Sequence, residues 1–414
     1  MAAPVWIENA TASALRAAGS VVVGASERRF APLLLQDAGK GLLTETLGVD
    51  EIGAHAEAWS VLASRALEPN AYFERGFAVA LARHRSGRAR PRFVAVWRDG
   101  RQTELVGLFP LGPTRLGLAR IWLDEQTPLA TPLLDRDGAD ATLRVFFAHM
   151  QESQRAAGVL FPRLTLEGAA HRAILAAARE TGREVQTLCA FERAALLAGS
   201  DADALARRGA SNHALRELYR RRRRLEDRGL VEFTLISERD SVEGALGEFL
   251  ALEASGWKGR RGALLRKRKL AEFARCATRE MTPGGQCQIA RLALDGKPLA
   301  MGLLFESGDR AYFWKIAFDE RFRAFAPGID LVHRLTGVLA RRGDIALTDS
   351  CAIANHPMID RFWPDRIGVC DIAVALDCAR PKAFRAACAV ERLKRGLREQ
   401  VKRVANPALR RKVS

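Results

Sequence analysis

The residue types and spacings best suited to chemistry lie between Arg310 and Trp363 of this 414-residue chain. The segment Arg323-Ala324-Phe325-Ala326-Pro327-Gly328 puts small residues immediately before a predicted helix. Small side chains let the backbone approach a phosphate, and the N–H groups of a helix's first turn, here Gly328, Ile329 and Asp330, face an anion with the helix dipole behind them. Pro327 takes one donor out of that cradle. Just upstream, alternation predicts a strand from Ala311 to Phe318 with Tyr312, Trp314, Ile316 and Phe318 on one face and Phe313 and Lys315 on the other. Lys315 there needs solvent, a carboxylate or a ligand, since an unpaired buried ammonium is strongly unfavourable. Asp319 and Asp349 are the available partners, each at or beyond the carboxyl end of a predicted strand, where open α/β sheets gather ligands. His356 and Trp363 follow in a turn that would overhang the same cleft, although a lone histidine also serves well as a structural residue.

A second group comes from the helical window Val242 to Trp257, which aligns Leu246, Leu250, Glu253 and Trp257 on one stripe. A carboxylate in an apolar row is a candidate general base, because burial favours its neutral form and raises its basicity near neutral pH. The bland reading is a glutamate at the stripe's margin paired with an arginine. Trp257-Lys258-Gly259-Arg260-Arg261-Gly262 follows directly, and supplies either a substrate wall built on Trp257 and Lys258 or a simple helix C-cap.

Other chemistries find less support. There is no Gly-x-Ser-x-Gly elbow, Cys351 has no base at a motif-like spacing, and the seven histidines stand apart from one another, so a resident metal is not expected. The seven cysteines contain no Cys-x-x-Cys pair, which argues for reduced thiols and against a disulfide framework. No apolar run approaches the roughly 20 residues that cross a bilayer, and the N-terminus lacks the basic start and long apolar core of a signal peptide. A cytoplasmic protein is expected, with peripheral contact at the inner face of the membrane.

That contact is suggested by charge. The formal net charge is +17, and residues 380–414 carry twelve Lys/Arg against two Glu. Ala386, Val390, Leu393, Leu397 and Val401 recur there at helical spacing, the pattern of a basic amphipathic helix that could rest on an anionic membrane surface, on RNA or on its own domain. Five consecutive arginines, Arg220 to Arg224, lie in another helical window opened by Ser211 and Asn212. They encircle the helix, so some face whatever packs beside it, and either a solvated face or an anion site results.

The elements that must position these groups occur twice. RFVAVWRDG-RQTELVGLFPLG (Arg92 to Gly112) and QIARLALDG-KPLAMGLLFESG (Gln288 to Gly308) both read as strand, Asp-Gly turn, strand, and helical windows precede each. We read an internal duplication of an α/β unit. The expected organisation is a flexible leader over residues 1–38, a first domain over 39–200, a second over 201–378 that carries the donor site, and a basic amphipathic tail over 379–414.

Three motifs taken together, LEASGWKGRRGALL (Leu252 to Leu265), YFWKIAFDERFRAFAPG (Tyr312 to Gly328) and DSCAIANHPMIDRFW (Asp349 to Trp363), resemble the BioF2-like or CelD-type acetyltransferase branch of the GNAT (acyl-CoA N-acyltransferase) superfamily. The first half is similar to that branch in AWSVLASRALEPNAYFE, VGLFPLG and TPLLD, and the Arg323 to Gly328 segment fits the superfamily's Arg/Gln-x-x-Gly/Ala-x-Gly/Ala pyrophosphate pattern. The resemblance implies an α/β fold of two tandem GNAT-like domains, each a mixed, mostly antiparallel sheet flanked by helices, and a relation to FemABX-type aminoacyl transferases. It implies acyl transfer, often in exopolysaccharide or envelope biosynthesis, from acetyl-CoA or another acyl-CoA to the amine of a small molecule or saccharide. On this reading Lys315, Arg323, Ala326, Gly328, Ile329 and Asp330 hold the donor. Glu253, Asp349 and His356 carry the chemistry, and Trp257, Lys258, Trp314, Asp319 and Trp363 line the acceptor. The alternatives are an aminoacyl-tRNA-dependent FemABX-type transferase, with the arginines and the tail as RNA contacts, and a non-catalytic scaffold in polysaccharide synthesis. The chain departs from the family in one respect: the tyrosine that commonly protonates the leaving thiolate follows the strand after the pyrophosphate helix, and Tyr72, Tyr219 and Tyr312 all lie elsewhere in sequence. His356 or a water is the substitute this implies.

Overall fold

A computed structural model of the chain describes residues 41–98, 101–199, 205, 212–256, 263–356 and 358–405. The expected leader, the Asp99-Gly100 turn, Trp257 and Lys258 lie outside the described residues. The first half contains β1 (Leu43–Leu47), α1 (Val49–Ala54), α2 (Ala56–Ser64), α3 (Arg75–Arg83), β2 (Arg92–Trp97), β3 (Leu105–Arg115), β4 (Leu118–Ile121), β5 (Leu133–Leu134), α4 (Ala139–Ser153), β6 (Gly158–Thr165), α5 (Ala169–Glu180) and β7 (Val185–Leu197). The second contains α6 (Asn212–Glu226), β8 (Val231–Ile236), α7 (Arg239–Ser255), α8 (Arg268–Met281), β9 (Cys287–Leu294), β10 (Lys297–Ser307), β11 (Arg310–Phe318), α9 (Pro327–Leu339), β12 (Leu347–Asp349) and β13 (Asp365–Ala375), before a terminal helix α10 (Pro381–Ala405).

All the strands join one mixed sheet in the order β1-β2-β3-β4-β6-β13-β7-β12-β11-β10-β9-β8, with β5 attached to β3. This order is a palindrome. Reading inward from either edge gives four consecutive strands and then a fifth that pairs in parallel with the fourth, β6 with β4 and β12 with β11. The repeated hairpins are β2/β3 and β9/β10, both antiparallel. At the centre the halves exchange strands: β13 lies between β6 and β7, and β7 lies between β13 and β12. The β7/β13 pairing runs from Asp365 opposite Ala195 to Val374 opposite Val185. The duplication therefore yields one continuous sheet whose two halves interlock, instead of two separable sheets.

The core is shared as well. Phe77 of α3 packs edge to face with Phe273 of α8 and Phe305 of β10, each ring centroid 5.2 Å away. Burying aromatics from both halves in one cluster supplies much of the apolar stabilisation. The helices α3 and α8 meet at Gly76, where a Cβ would fall 3.0 Å from that of Glu280. Only a glycine permits that approach without displacement.

Candidate active site

The site lies where β11 and β12 part. They pair only from Arg310–Leu347 to Tyr312–Asp349. Beyond Tyr312, β11 runs on to Phe318 with β10 on one side and no strand on the other among the described residues. A notch opens there. Within it β11 carries a bulge: Lys315 is opposite Leu303 and Phe313 is opposite Leu304, which leaves Trp314 with no residue across from it. A bulge takes a peptide group out of the ladder and re-aims it, so the backbone near Trp314 can present a donor to a carbonyl in the notch.

The same bulge overturns the expected facing of β11. Tyr312 and Trp314 join the core on one face, as the alternation predicts, but Ile316 and Phe318 pack with Phe313 in the core of the opposite face. One inserted residue reverses the parity of everything after it. Trp314 is buried, its indole donates to the Gln126 carbonyl at 3.0 Å, and its ring packs against Phe77, Phe273 and Phe305. It is thus a core residue and not a cleft wall. Lys315 places its ammonium 4.7 Å from the centroid of that ring, a cation–π contact.

At the apex of the notch, past the end of β12, the two halves meet. Asp349 is buried, pairs with the fully buried Arg193 of β7, and accepts the Cys351 N–H at 2.8 Å. Arg193 also donates to the Pro128 carbonyl at 3.1 Å. Burial opposes its charge, and the Asp349 carboxylate overcomes that cost, so the guanidinium stays ionised. Cys351 sits in the left-handed region at φ 54° and has its Sγ 2.9 Å from the Tyr72 hydroxyl. Desolvation pushes both the Cys351 thiol and the Tyr72 phenol up, Cys351 with a further push from Asp349 and Tyr72 with one from Cys351. Both groups are therefore protonated at neutral pH. Tyr72 comes from the loop before α3, and its ring lies 5.4 Å from that of Tyr312. A tyrosine hydroxyl thus stands beside the strand that follows α9, supplied by the other half of the chain. Sequence proximity could not reveal it.

The remaining expected residues distribute as follows. Glu253 is buried in the last turn of α7, and its carboxylate accepts the Leu264 N–H at 2.8 Å. That helix ends at Gly256, where a Cβ would lie 3.8 Å from the Phe318 carbonyl oxygen, so the turn borders the far end of β11. His356 does not point to catalysis, since its Nδ1 accepts the N–H groups of Met358 and Ile359 at 3.4 and 3.3 Å and so caps a turn. Trp363 is fully buried, donates to Thr336 Oγ1 at 2.8 Å and packs 5.9 Å from Phe313, away from the notch. Asp319 caps the turn after β11 and pairs with Arg321, which holds its carboxyl below the usual range.

The anion cradle is narrower than its spacing suggests. Ala326 adopts φ 52°, which turns its carbonyl into the first turn of α9 to accept from both Ile329 (3.0 Å) and Asp330 (3.1 Å). With Pro327 lacking a donor, Gly328 supplies the N–H that this turn leaves available. Asp330 is buried and ion-paired to Arg222 of α6 and, at 3.2 Å, to Arg334, so its side chain braces α9 and does not reach a ligand. Arg323 is exposed at the mouth of the loop. The arginine run is divided: Arg220 and Arg221 pair with Glu217 on their own helix, and Arg222 is spent on Asp330. Among the described residues no cluster of three His, Cys, Asp or Glu could hold a metal ion.

A family model described as "Acetyltransferase (GNAT) domain" matches residues 212–355, the stretch from α6 to just past Cys351. No curated protein matches. Among solved structures, the chain is similar to a conserved protein of unknown function from Bacteroides thetaiotaomicron (11% identity, covering 78% of this chain and 97% of that one, TM-score 0.51). It is also similar to the C-terminal domain of a protein described as a lysylphosphatidylglycerol synthetase from Agrobacterium fabrum (13% identity, 82% and 95%, TM-score 0.50). A tandem GNAT protein from the clavulanic acid biosynthesis pathway shares 15% identity over 81% of this chain and 98% of its own, at a TM-score of 0.38. The second half of the chain thus carries a match to a GNAT-type acetyltransferase domain, set in a mixed α/β sheet that it shares with the first half.

Proposed function

We propose that the protein is an N-acyltransferase that binds an acyl-CoA in the notch between β11 and β12 and transfers its acyl group to the amine of an amino sugar or related envelope precursor. The observation that carries this reading is the bulge at Trp314, which sits inside the notch while the Arg323 to Gly328 loop stands at its far end. A thioester carbonyl accepts from the backbone at the bulge, and the pyrophosphate lies against the Gly328 N–H with Arg323 beside it. Glu253 removes a proton from the attacking amine, directly or through water. The nitrogen then bonds to the carbonyl carbon, the carbon–sulfur bond breaks, and the departing thiolate takes a proton from the Tyr72 hydroxyl. Asp349 serves a different part: fixed by Arg193 and the Cys351 N–H, it holds the turn against which Tyr72 rests.

The test is a thermal-shift screen of the whole chain against acetyl-CoA, longer acyl-CoAs, nucleotide sugars and tRNA. A ligand that binds the folded state alone raises its stability by mass action, by about 2.7 kcal/mol at a hundredfold excess over Kd. An acyl-CoA should shift the transition upward. A shift with tRNA alone would sink the proposal in favour of an aminoacyl-tRNA-dependent transferase.

A further inference from the structure

The helix α10 docks on the sheet by the opposite face from the one its periodicity marks. Phe384, Ala387 and Cys388 pack against Leu118, Leu160, Ala373 and Ala375. Gly158 of β6 has no side chain there because a Cβ would lie 2.7 Å from the Phe384 ring. Further along, Arg395 reaches Asp371 at 2.6 Å and Glu391 at 3.0 Å, and Arg120 reaches Glu391 at 3.4 Å. Across the helix from these contacts, Val390, Leu393, Leu397 and Val401 form a stripe left 46%, 65%, 54% and 66% exposed. Leu116, at the tip of the β3–β4 hairpin, is also exposed, and Gly117 beside it approaches Ala387. Cations border this patch on the same helix, the exposed Arg398 and the half-buried Lys394, whose hold on its proton is weakened by burial first and then by the nearby charges of Arg398, Arg120 and Arg115.

We infer that this face of α10 lies on the surface of an anionic lipid bilayer, with Leu393 and Leu397 in the acyl region and the surrounding cations at the headgroups. Apolar insertion and cation–headgroup attraction together are what hold an amphipathic helix in an interface. Charge complementarity selects this occupant. A second copy of the chain would bring its own cations against these, at an electrostatic cost. An RNA would satisfy the cations but leave the leucines in water. No described helix is long and apolar enough to cross a membrane, so the contact is with one leaflet. The inference stands independently of the acyl donor.

Co-sedimentation with vesicles of phosphatidylcholine alone, and with one-third phosphatidylglycerol, tests it on the full chain. The wild-type protein should bind the anionic vesicles alone, and less at 0.5 M than at 0.1 M salt. The double substitution Leu393→Ser/Leu397→Ser should cut partitioning at least about tenfold without lowering Tm. Arg398→Ser should reduce it several-fold. The inference falls if anionic vesicles are not bound, or if the leucine variant binds them as wild type does. It falls equally if those leucines instead hold a dimer, seen by light scattering of the free protein, or if RNA is bound and vesicles are not.

Discussion

The two halves build the same parallel pair at the same place in the sheet and finish it differently. In the first, β4 ends at Ile121 and the chain folds back over its own notch. Trp122 donates to Pro110, Ala130 to Arg163 and Asp135 to Val106, and β5 adds itself to β3. In the second, β11 continues six residues past its last pairing, carries a bulge, and leads through a 3-10 turn (Glu320–Phe325) and Ala326 into the 13-residue helix α9. One copy closes its notch with protein, whereas in the other no described strand pairs with β11 past Tyr312 on that side. The closed copy still serves the open one. It sends Tyr72 to Cys351 and Arg193 to Asp349, and the Gln126 carbonyl to the Trp314 indole. The two halves are thus built differently, and the contacts around Asp349, Cys351 and Trp314 cannot be read from residues 212–355 alone.

The largest effect should come from the residues assigned to proton transfer. Tyr72→Phe and Glu253→Gln should each lower kcat by roughly 10²- to 10⁴-fold with acyl-CoA affinity nearly unchanged. A control in the closed notch sharpens the contrast: Thr131→Val removes a buried hydroxyl that has no partner among the described residues, and turnover should stay within about twofold. If Thr131→Val costs as much as Tyr72→Phe, the first notch is not a mere support.

Next in size is the ion pair that ties the halves together. Arg193→Met leaves Asp349 buried and unpaired, which should destabilise the fold by about 3–5 kcal/mol, read as a fall in denaturation midpoint. Adding Asp349→Asn to that variant should recover part of the loss. Full stability in Arg193→Met would mean that the exchanged strands do not depend on this contact.

The smallest effect concerns Glu74, at the start of α3, which accepts from Ser307 of β10 at 2.6 Å. Burial raises its carboxyl above the ordinary glutamate value of 4.5. A raised folded-state pKa means that this contribution is complete below the unfolded value and is lost as pH rises through the folded one. Glu74→Gln should therefore flatten the fall in stability as pH rises above 4.5. An unchanged profile would place the proton elsewhere.

The hairpins, the helix after Gly328 and the α/β layering were legible because alternation, Asp-Gly turns and helical spacing are local signals. So was the loop at the notch's end. What escaped was non-local. The parity of Ile316 and Phe318 depends on a bulge defined by the partner strand, and periodicity in β11 alone cannot show it. Tyr72 reaches Cys351 across 279 positions, and the exchange of β7 and β13 appears only when both halves are folded. The resemblance put Trp314 and Trp363 at the acceptor, yet both are buried in the core, where large aromatics gain most. The stripe on α10 was visible in the sequence, whereas its facing away from the sheet was not.

Calorimetric titration of the whole chain with acetyl-CoA tests the central claim, that the open notch of the second half holds the donor. The account predicts one site per chain, weakened at least about tenfold by Gly328→Val. A Cβ at Gly328 would stand 3.4 Å from Phe318 and 3.7 Å from Ile316, an ordinary contact, so Gly328→Ala should fold normally and serve as the control. Absence of binding, two sites per chain, or equal affinity in Gly328→Val and wild type would contradict it.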